Sequence, residues 1–175
     1  MSSTFLEVDG IRNEAEAVVW SINAAVQRNR VYQSYDRRDE FRADWMRMLR
    51  AEAQRYRLPD PPMSDSQHYR IIPSISDRLS AAFGASLIGG RLRFGTSQKA
   101  LNLYLKYLWQ LGDIGAPPHC PVDRIVLDAL DIDEAWTKCD DENRYMTWIG
   151  AIRRKAGTLS VAEWENDVWL RAVAG

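Results

Sequence analysis

The stretch GTSQKALNLYLKYLW, Gly95 to Trp109, decides the fold. Its apolar residues recur every three or four positions, which places them on one buried face of an α-helix. That stripe consists of Leu101, Tyr104, Leu105 and Leu108. Thr96 is a favourable N-cap and puts Lys99 at the third helical position. There the helix dipole and partial burial favour the neutral amine, which is a nucleophile.

A second helix start follows in PPHCPVDRIVL, Pro117 to Leu127. Proline restricts its own backbone and that of the preceding residue, so the proline-rich part predicts an extended segment. Asp123 then stands where an N-cap is expected for a helix over Arg124–Leu130. The two helix starts are therefore expected to face each other across one cleft, with the Lys99 amine opposite the Asp123 carboxylate.

Helical periodicity continues through most of the chain. The apolar faces are Phe41, Trp45, Met48, Leu49 and Tyr56, and later Tyr145, Trp148, Ile149 and Ile152. SVAE, Ser160 to Glu163, is a capping box that opens a last helix, and Gly157 suits the end of the helix before it. A chain of 175 residues has the size of one domain with a substantial core. We predict an all-α fold, a single compact helical domain over residues 1–175, with an active-site core at about 88–130.

Proline and glycine clusters mark the predicted breaks between helices. They are Leu58–Asp65, the IIP sequence at Pro73, Leu87–Gly95 and Gly115–Pro121. Gly89 and Gly90 permit a tight turn, which makes a short hairpin an interpretation of the third break.

The composition is that of a globular protein, with 46 % hydrophobic and 27 % charged residues and a net charge of −1. No apolar run reaches the roughly 18–20 residues of a membrane span, and residues 1–10 lack the pattern of a signal peptide. We therefore expect a cytoplasmic protein with no membrane partner.

Metal and cofactor chemistry is not indicated. Cys120 and Cys139 lack CxxC spacing and suggest no disulfide framework. His119 beside Cys120 raises the alternative of a thiol nucleophile, or of a metal site with His68 and Cys139. Because that spacing matches no common zinc pattern, we expect neither a metal nor a cofactor.

Positive charge is concentrated in one part of the sequence. Residues 78–112 contain no acidic residue but five basic ones: Arg78, Arg91, Arg93, Lys99 and Lys106. Such a local basic face can hold a phosphate backbone on a nearly neutral protein. Arg28–Arg57 is also arginine-rich, but its interleaved acids favour the interpretation of a solvated helix surface.

Lys99 opening an apolar helix, and the Pro121–Asp123 tripeptide PVD opening the next, resemble the active-site core of the helix-hairpin-helix DNA glycosylases, particularly the 8-oxoguanine glycosylases. The similarity covers about 40 residues, Leu92 to Leu130. It implies a helix-hairpin-helix type of fold and a DNA N-glycosylase in which Lys99 attacks the sugar C1′ carbon and Asp123 assists. The resulting imine would also support strand cleavage.

The implied partner is double-stranded DNA with a modified base, and no obligate protein partner is indicated. The resemblance places the Gly95–Gln98 turn, which includes Thr96 and Ser97, on the DNA. Arg91 and Arg93 are the expected phosphate contacts, and Lys106 is a further one of lower rank. The expected readers of a flipped base are His68, Tyr69, Trp109 and His119.

A looser similarity extends to small bacterial glycosylases that remove glucosylated hydroxymethylcytosine from phage DNA. A chain of 175 residues is short for a second lobe that distinguishes a damaged base from its normal counterpart. A bulky modified base can be recognised with fewer precise contacts. We therefore expect the glucosylated base in antiviral defence, and 8-oxoguanine repair is the alternative. A non-catalytic helical module that binds nucleic acid or protein is the alternative from another functional class.

Overall fold

The computed structural model describes residues 4–57 and 62–174, and these residues form an all-α fold. The helices are α1 (Phe5–Asp9), α2 (Glu14–Val26), α3 (Arg38–Ala53), α4 (Asp65–Phe83), α5 (Phe94–Gln110), α6 (Arg124–Ala129), α7 (Glu142–Ala156) and α8 (Val161–Ala174). Short 3₁₀ turns lie at Gln54–Tyr56, Gly84–Ser86, Ile88–Gly90 and Trp136–Lys138. None of the described helices combines the length and apolar character that crossing a bilayer requires.

Helix α5 is the centre of the fold. The predicted stripe is buried, but so is every other residue from Phe94 to Leu108. The reason is that α1, α2, α3 and α4 all pack against α5. Helix α8 packs against α6 and α7. A helix enclosed on all sides has to satisfy its polar side chains inside the protein. The polar residues of α5 therefore have partners inside the protein.

The predicted caps at Asp123 and Ser160 are confirmed. Asp123 accepts a hydrogen bond from the backbone N–H of Val126 and starts α6 at Arg124. The Ser160 N–H donates to Glu163 at 2.8 Å, and the Glu163 N–H donates back to the Ser160 hydroxyl at 3.2 Å. These short-range signals are reliable because each uses partners three residues apart.

One of the predicted breaks is wrong, and another is confirmed as a break between α-helices but without the hairpin. Pro73 lies inside α4, because Ile71, Ile72 and Ile75 bury one face of that helix and tertiary packing outweighs the cost of the proline. Leu87–Gly95 holds 3₁₀ turns instead of a hairpin, and α5 already begins at Phe94. The break at Gly115–Pro121 is confirmed as non-helical. Residues 58–61 of the first break lie outside the described residues.

The start of α5 is covered by the segment Trp136–Asp140. The Gly95 N–H donates to the Cys139 carbonyl at 2.8 Å, and the Phe94 N–H donates to the Asp140 carboxylate at 2.9 Å. A side chain at Gly95 would bring its Cβ to 1.9 Å from the Trp136 carbonyl oxygen. Gly95 therefore permits the close approach of backbone that seats this segment on α5.

We expect Gly95→Ala to destabilise the protein, because the added methyl group displaces the Trp136 backbone. Overpacking of this kind costs about 1–3 kcal/mol, or a fall in Tm of roughly 2–4 °C per kcal/mol. Thermal unfolding of Gly95→Ala and of the matched control Gly115→Ala measures the difference, since a Cβ at Gly115 meets nothing within 4 Å. Equal Tm values for the two variants would contradict the packing argument.

Candidate active site

Lys99 and Asp123 meet as predicted. The Lys99 Nζ lies 2.5 Å from the Asp123 Oδ2, and their side chains are only 10 % and 15 % exposed. The other carboxylate oxygen caps α6 through the Val126 N–H at 3.2 Å. One carboxylate therefore starts a helix and holds an amine in a largely water-free position.

Lys99 does not lie at the start of its helix, where the sequence predicts it to be. Because α5 begins at Phe94 with Arg93 as its N-cap residue, Lys99 lies in the second turn, and Thr96 is not the cap. The helix dipole acts mainly within the first turn, so its effect on the amine is smaller than the sequence suggested. The main electrostatic partner of the amine is Asp123.

A cleft of about 480 Å³ leads to this pair. Its lining residues are Ala24, Gln27, Arg28, Lys99, Asp123, Arg124, Ile125, Trp136 and Thr137. Gln27, Arg28 and Arg124 are exposed, whereas Lys99 is buried, so the amine lies deep in the cleft and the polar side chains lie at its mouth. Trp136 is half-buried and gives the cleft an aromatic wall.

Gln98 and Val122, which precede Lys99 and Asp123, fix the positions of the two side chains relative to each other. The Gln98 Nε2 donates to the Val122 carbonyl at 2.7 Å, and the Val122 N–H donates to the Gln98 Oε1 at 3.1 Å. Four residues further along α5, Asn102 donates to the Cys120 carbonyl at 2.9 Å. Since all these groups are buried, the segment before Asp123 is fixed against the helix that carries Lys99.

The predicted base readers His68 and His119 are core residues instead. Both are fully buried, and burial lowers the pKa of His68 to about 3. Neutral His68 donates from Nε2 to Asn102, and His119 contacts the Tyr145 hydroxyl at 2.8 Å and the Asp65 carboxylate at 2.7 Å. With their ring nitrogens engaged and no place in the cleft lining, they are not free to bind a base.

Tyr69 and Trp109 also lie away from the cleft. The Tyr69 hydroxyl donates to Glu142 at 2.5 Å, and Trp109 packs partly buried against the core. The prediction for these side chains rests on residue type alone, which carries no information on the direction in which a side chain points. The aromatic side chain that does line the cleft is Trp136.

The Gly95–Gln98 turn does not present free groups to DNA. Its first amides are bonded to Trp136–Asp140, as described above, and Thr96 accepts a hydrogen bond from Asn29 at 2.9 Å. Ser97 donates to the Ile72 carbonyl at 3.0 Å. The prediction that this turn contacts DNA is therefore wrong, because its hydrogen-bonding groups are used within the protein.

Arg91 and Arg93 remain partly exposed, but each has an internal partner. Arg91 donates to Asp77 at 2.7 Å and to Asp140 at 2.8 Å. Arg93 donates to the Thr137 carbonyl at 3.3 Å, and this acceptor carries no formal charge. A phosphate contact by Arg91 would therefore compete with two carboxylates, and Arg93 stays the predicted phosphate contact of the two.

Lys106 is not a DNA contact. Only 1 % of the residue is exposed, and its Nζ lies 2.7 Å from the Glu165 Oε2 and 3.8 Å from the centre of the Phe5 ring. Desolvation lowers the pKa of Lys106 and raises the pKa of Glu165. The pair joins α5 to α8 inside the core, which corrects the prediction that Lys106 belongs to a basic surface.

We expect Lys106→Met to destabilise the fold by about 3–5 kcal/mol, because it leaves the Glu165 carboxylate buried without its partner. The double variant Lys106→Met/Glu165→Leu should recover most of this loss, since it removes both charges. Denaturant unfolding measures both variants. A stable single variant with weakened DNA binding would contradict the buried position of Lys106.

Another cavity, of about 500 Å³, lies between Tyr56 and Pro118. The charged residues in its described lining, Arg57 and Asp113, lie 3.7 Å apart and pair with each other. Within the described residues no cluster of His, Cys, Asp and Glu has the arrangement of a metal site, and Cys120 and Cys139 are free and buried. The Lys99 cleft is therefore the better candidate for chemistry.

Arg28 and Trp136 are the site residues that sequence reasoning missed. The interleaved charges around Arg28 favour a solvated surface, and the sequence gives Trp136 no role in the site. A usable signal for Arg28 is its position directly after α2, because helix ends are where polar side chains reach a cleft. Trp136 offers no comparable signal, since its position depends on contacts with Gly95 that lie 41 positions away.

Comparison of the chain with protein-family models, curated proteins and solved structures finds no match. The chemistry of the site accordingly rests on the contact between Lys99 and Asp123 and on the cleft that leads to it.

Proposed function

We propose that the protein is a DNA N-glycosylase that excises a modified base, with Lys99 as nucleophile and Asp123 as its carboxylate partner. The observation that carries the proposal is the 2.5 Å contact between the two side chains at the inner end of an open cleft. The resemblance of their surroundings to the helix-hairpin-helix glycosylases supports the same conclusion. Capture of a sugar C1′ carbon requires a nucleophilic amine, and a neighbouring carboxylate stabilises the positive charge that forms on the sugar.

The reaction begins when a nucleotide is flipped out of the duplex and its sugar reaches Lys99. One proton passes from the Lys99 ammonium to the departing base, which takes the electrons of the N-glycosidic bond with it. The freed amine lone pair then bonds to C1′. Throughout, the ionised Asp123 stabilises the positive charge that builds on the sugar. Transfer of a second proton from the nitrogen to the ring oxygen O4′ breaks the C1′–O4′ bond and produces a protonated imine, from which strand cleavage is possible.

The cleft fits a bulky base with added hydroxyl groups. Exposed Gln27 and Arg124 offer hydrogen-bonding groups at its mouth, and Trp136 offers a face for stacking. None of these requires the base to fit a closed pocket. This supports glucosylated hydroxymethylcytosine of phage DNA as the substrate, and antiviral defence as the role.

The test offers the purified protein three DNAs: phage DNA with glucosylated hydroxymethylcytosine, the same DNA without the sugar, and a duplex with 8-oxoguanine. Alkali then reveals abasic sites as strand breaks. We expect breaks in the glucosylated DNA alone. Release of 8-oxoguanine without action on the glucosylated DNA would make the protein a repair glycosylase, and DNA binding without base release would favour the non-catalytic module.

A further inference from the structure

The loop that follows α2, residues 27–30, lies beside the proposed catalytic pair. Its Asn29 Nδ2 donates to the Ala25 carbonyl at 3.0 Å and to the Thr96 hydroxyl at 2.9 Å. The first bond ties the loop to the end of α2, and the second ties it to the helix that carries Lys99. The loop is therefore held at a fixed position relative to Lys99.

Arg28 in this loop has an unusual backbone conformation. Its φ of 56° is in the left-handed region, which residues other than glycine, asparagine and aspartate adopt at a cost. Such conformations persist where surrounding contacts enforce them, and they are concentrated at functional sites. The next residue, Asn29, makes two hydrogen bonds within the protein, and the exposed Arg28 lines the cleft.

The charges in the cleft single out Arg28. Lys99 is paired with Asp123, and the Arg124 Nε lies 2.6 Å from Asp128. Across the described part of the chain, no carboxylate lies within ion-pair distance of Arg28. Of the cations that line the cleft, Arg28 thus has its charge uncompensated.

The start of α5 is not available to a phosphate, because Asp140 and the Cys139 carbonyl already accept from its first amides. A phosphate group near Lys99 therefore needs another partner. Arginine suits this task, since its planar guanidinium donates two parallel hydrogen bonds to phosphate oxygens. Arg30 and Arg93 line an adjoining depression and extend the positive charge along the loop.

We infer that Arg28 binds a DNA phosphate next to the nucleotide whose sugar reaches Lys99, and that the loop after α2, in place of the α5 start, holds the DNA strand. The inference rests on the proposed function for the identity of the strand. Residues 27–30 then form a binding site for the DNA backbone. Arg30, together with Arg93 directly before α5, binds the neighbouring phosphates.

The decisive variant is Arg28→Asn, because asparagine tolerates the left-handed backbone and carries no charge. Binding to a fluorescent unmodified duplex is measured by anisotropy over a range of salt concentrations. We expect about tenfold weaker binding at low salt and a decrease of about 0.9 in the slope of log K against log salt. Arg28→Lys should keep most of the slope.

The matched control is Arg154→Asn, in the last turn of α7, where the arginine is exposed and does not line the cleft. Its affinity and slope should equal those of the wild type. Equal slopes for Arg28→Asn and wild type would overturn the inference even if base excision is observed. Duplex binding that depends on Arg28 in a wild-type protein that releases no base would uphold the inference and contradict the proposed function.

Discussion

Replacing Lys99 with glutamine should abolish base release and the borohydride-trapped adduct between protein and DNA. We expect a loss of roughly 10³-fold or more, since the amide cannot attack C1′ or form an imine. The variant should still fold, because the Gln side chain can donate a hydrogen bond to Asp123 and leaves the α6 cap in place. Single-turnover excision and thermal unfolding are measured on the same preparation.

Retained excision by Lys99→Gln would reduce Lys99 to an electrostatic role and leave Asp123 to activate a water molecule. A variant that fails to fold is separated from this outcome by Lys99→Arg, which keeps the positive charge beside Asp123 but is not a nucleophile. Loss of trapping in a folded Lys99→Arg would support the covalent role.

Asp123→Asn is expected to have the second-largest effect. Removing the negative charge next to the developing positive charge of the sugar should slow excision by about 10²–10³-fold. Asparagine is as good an N-cap as aspartate, so Val126 keeps its hydrogen-bond acceptor, but the loss of the ion pair with Lys99 should lower the stability by about 1–3 kcal/mol. The rate of base release and the Tm together distinguish the catalytic role from the capping role.

Asp128→Asn is the matched control on the same helix. Asp128 is exposed and pairs with Arg124 at the surface, so its loss should leave the rate nearly unchanged. A Tm of Asp123→Asn far below that of this control, with a normal excision rate, would show that Asp123 is only a structural cap.

The opposition of Lys99 and Asp123 was predictable because it follows from local signals. The periodicity of α5, the prolines that end the helical region and the cap at Asp123 each act over a few residues. Together they bring Lys99 on α5 to the start of α6. The capping box of Ser160 and Glu163 was predictable for the same reason.

The remaining assignments depended on partners that are distant in sequence. Lys106 is buried because Glu165, in the last helix, supplies the opposite charge. The start of α5 moves to Phe94 because Asp140 caps it from another segment. Helical periodicity shows which face of α5 is apolar, but it does not reveal that further helices enclose the polar face.

The most direct measurement of the central claim is mass spectrometry of the borohydride-reduced complex after proteolysis. The wild-type protein is incubated with the DNA that it cleaves best, reduced, and digested. We predict one modified peptide, with the remnant of the sugar attached to the Lys99 Nζ. Base release without any adduct, or an adduct on another amine, would contradict the account of Lys99 as the nucleophile.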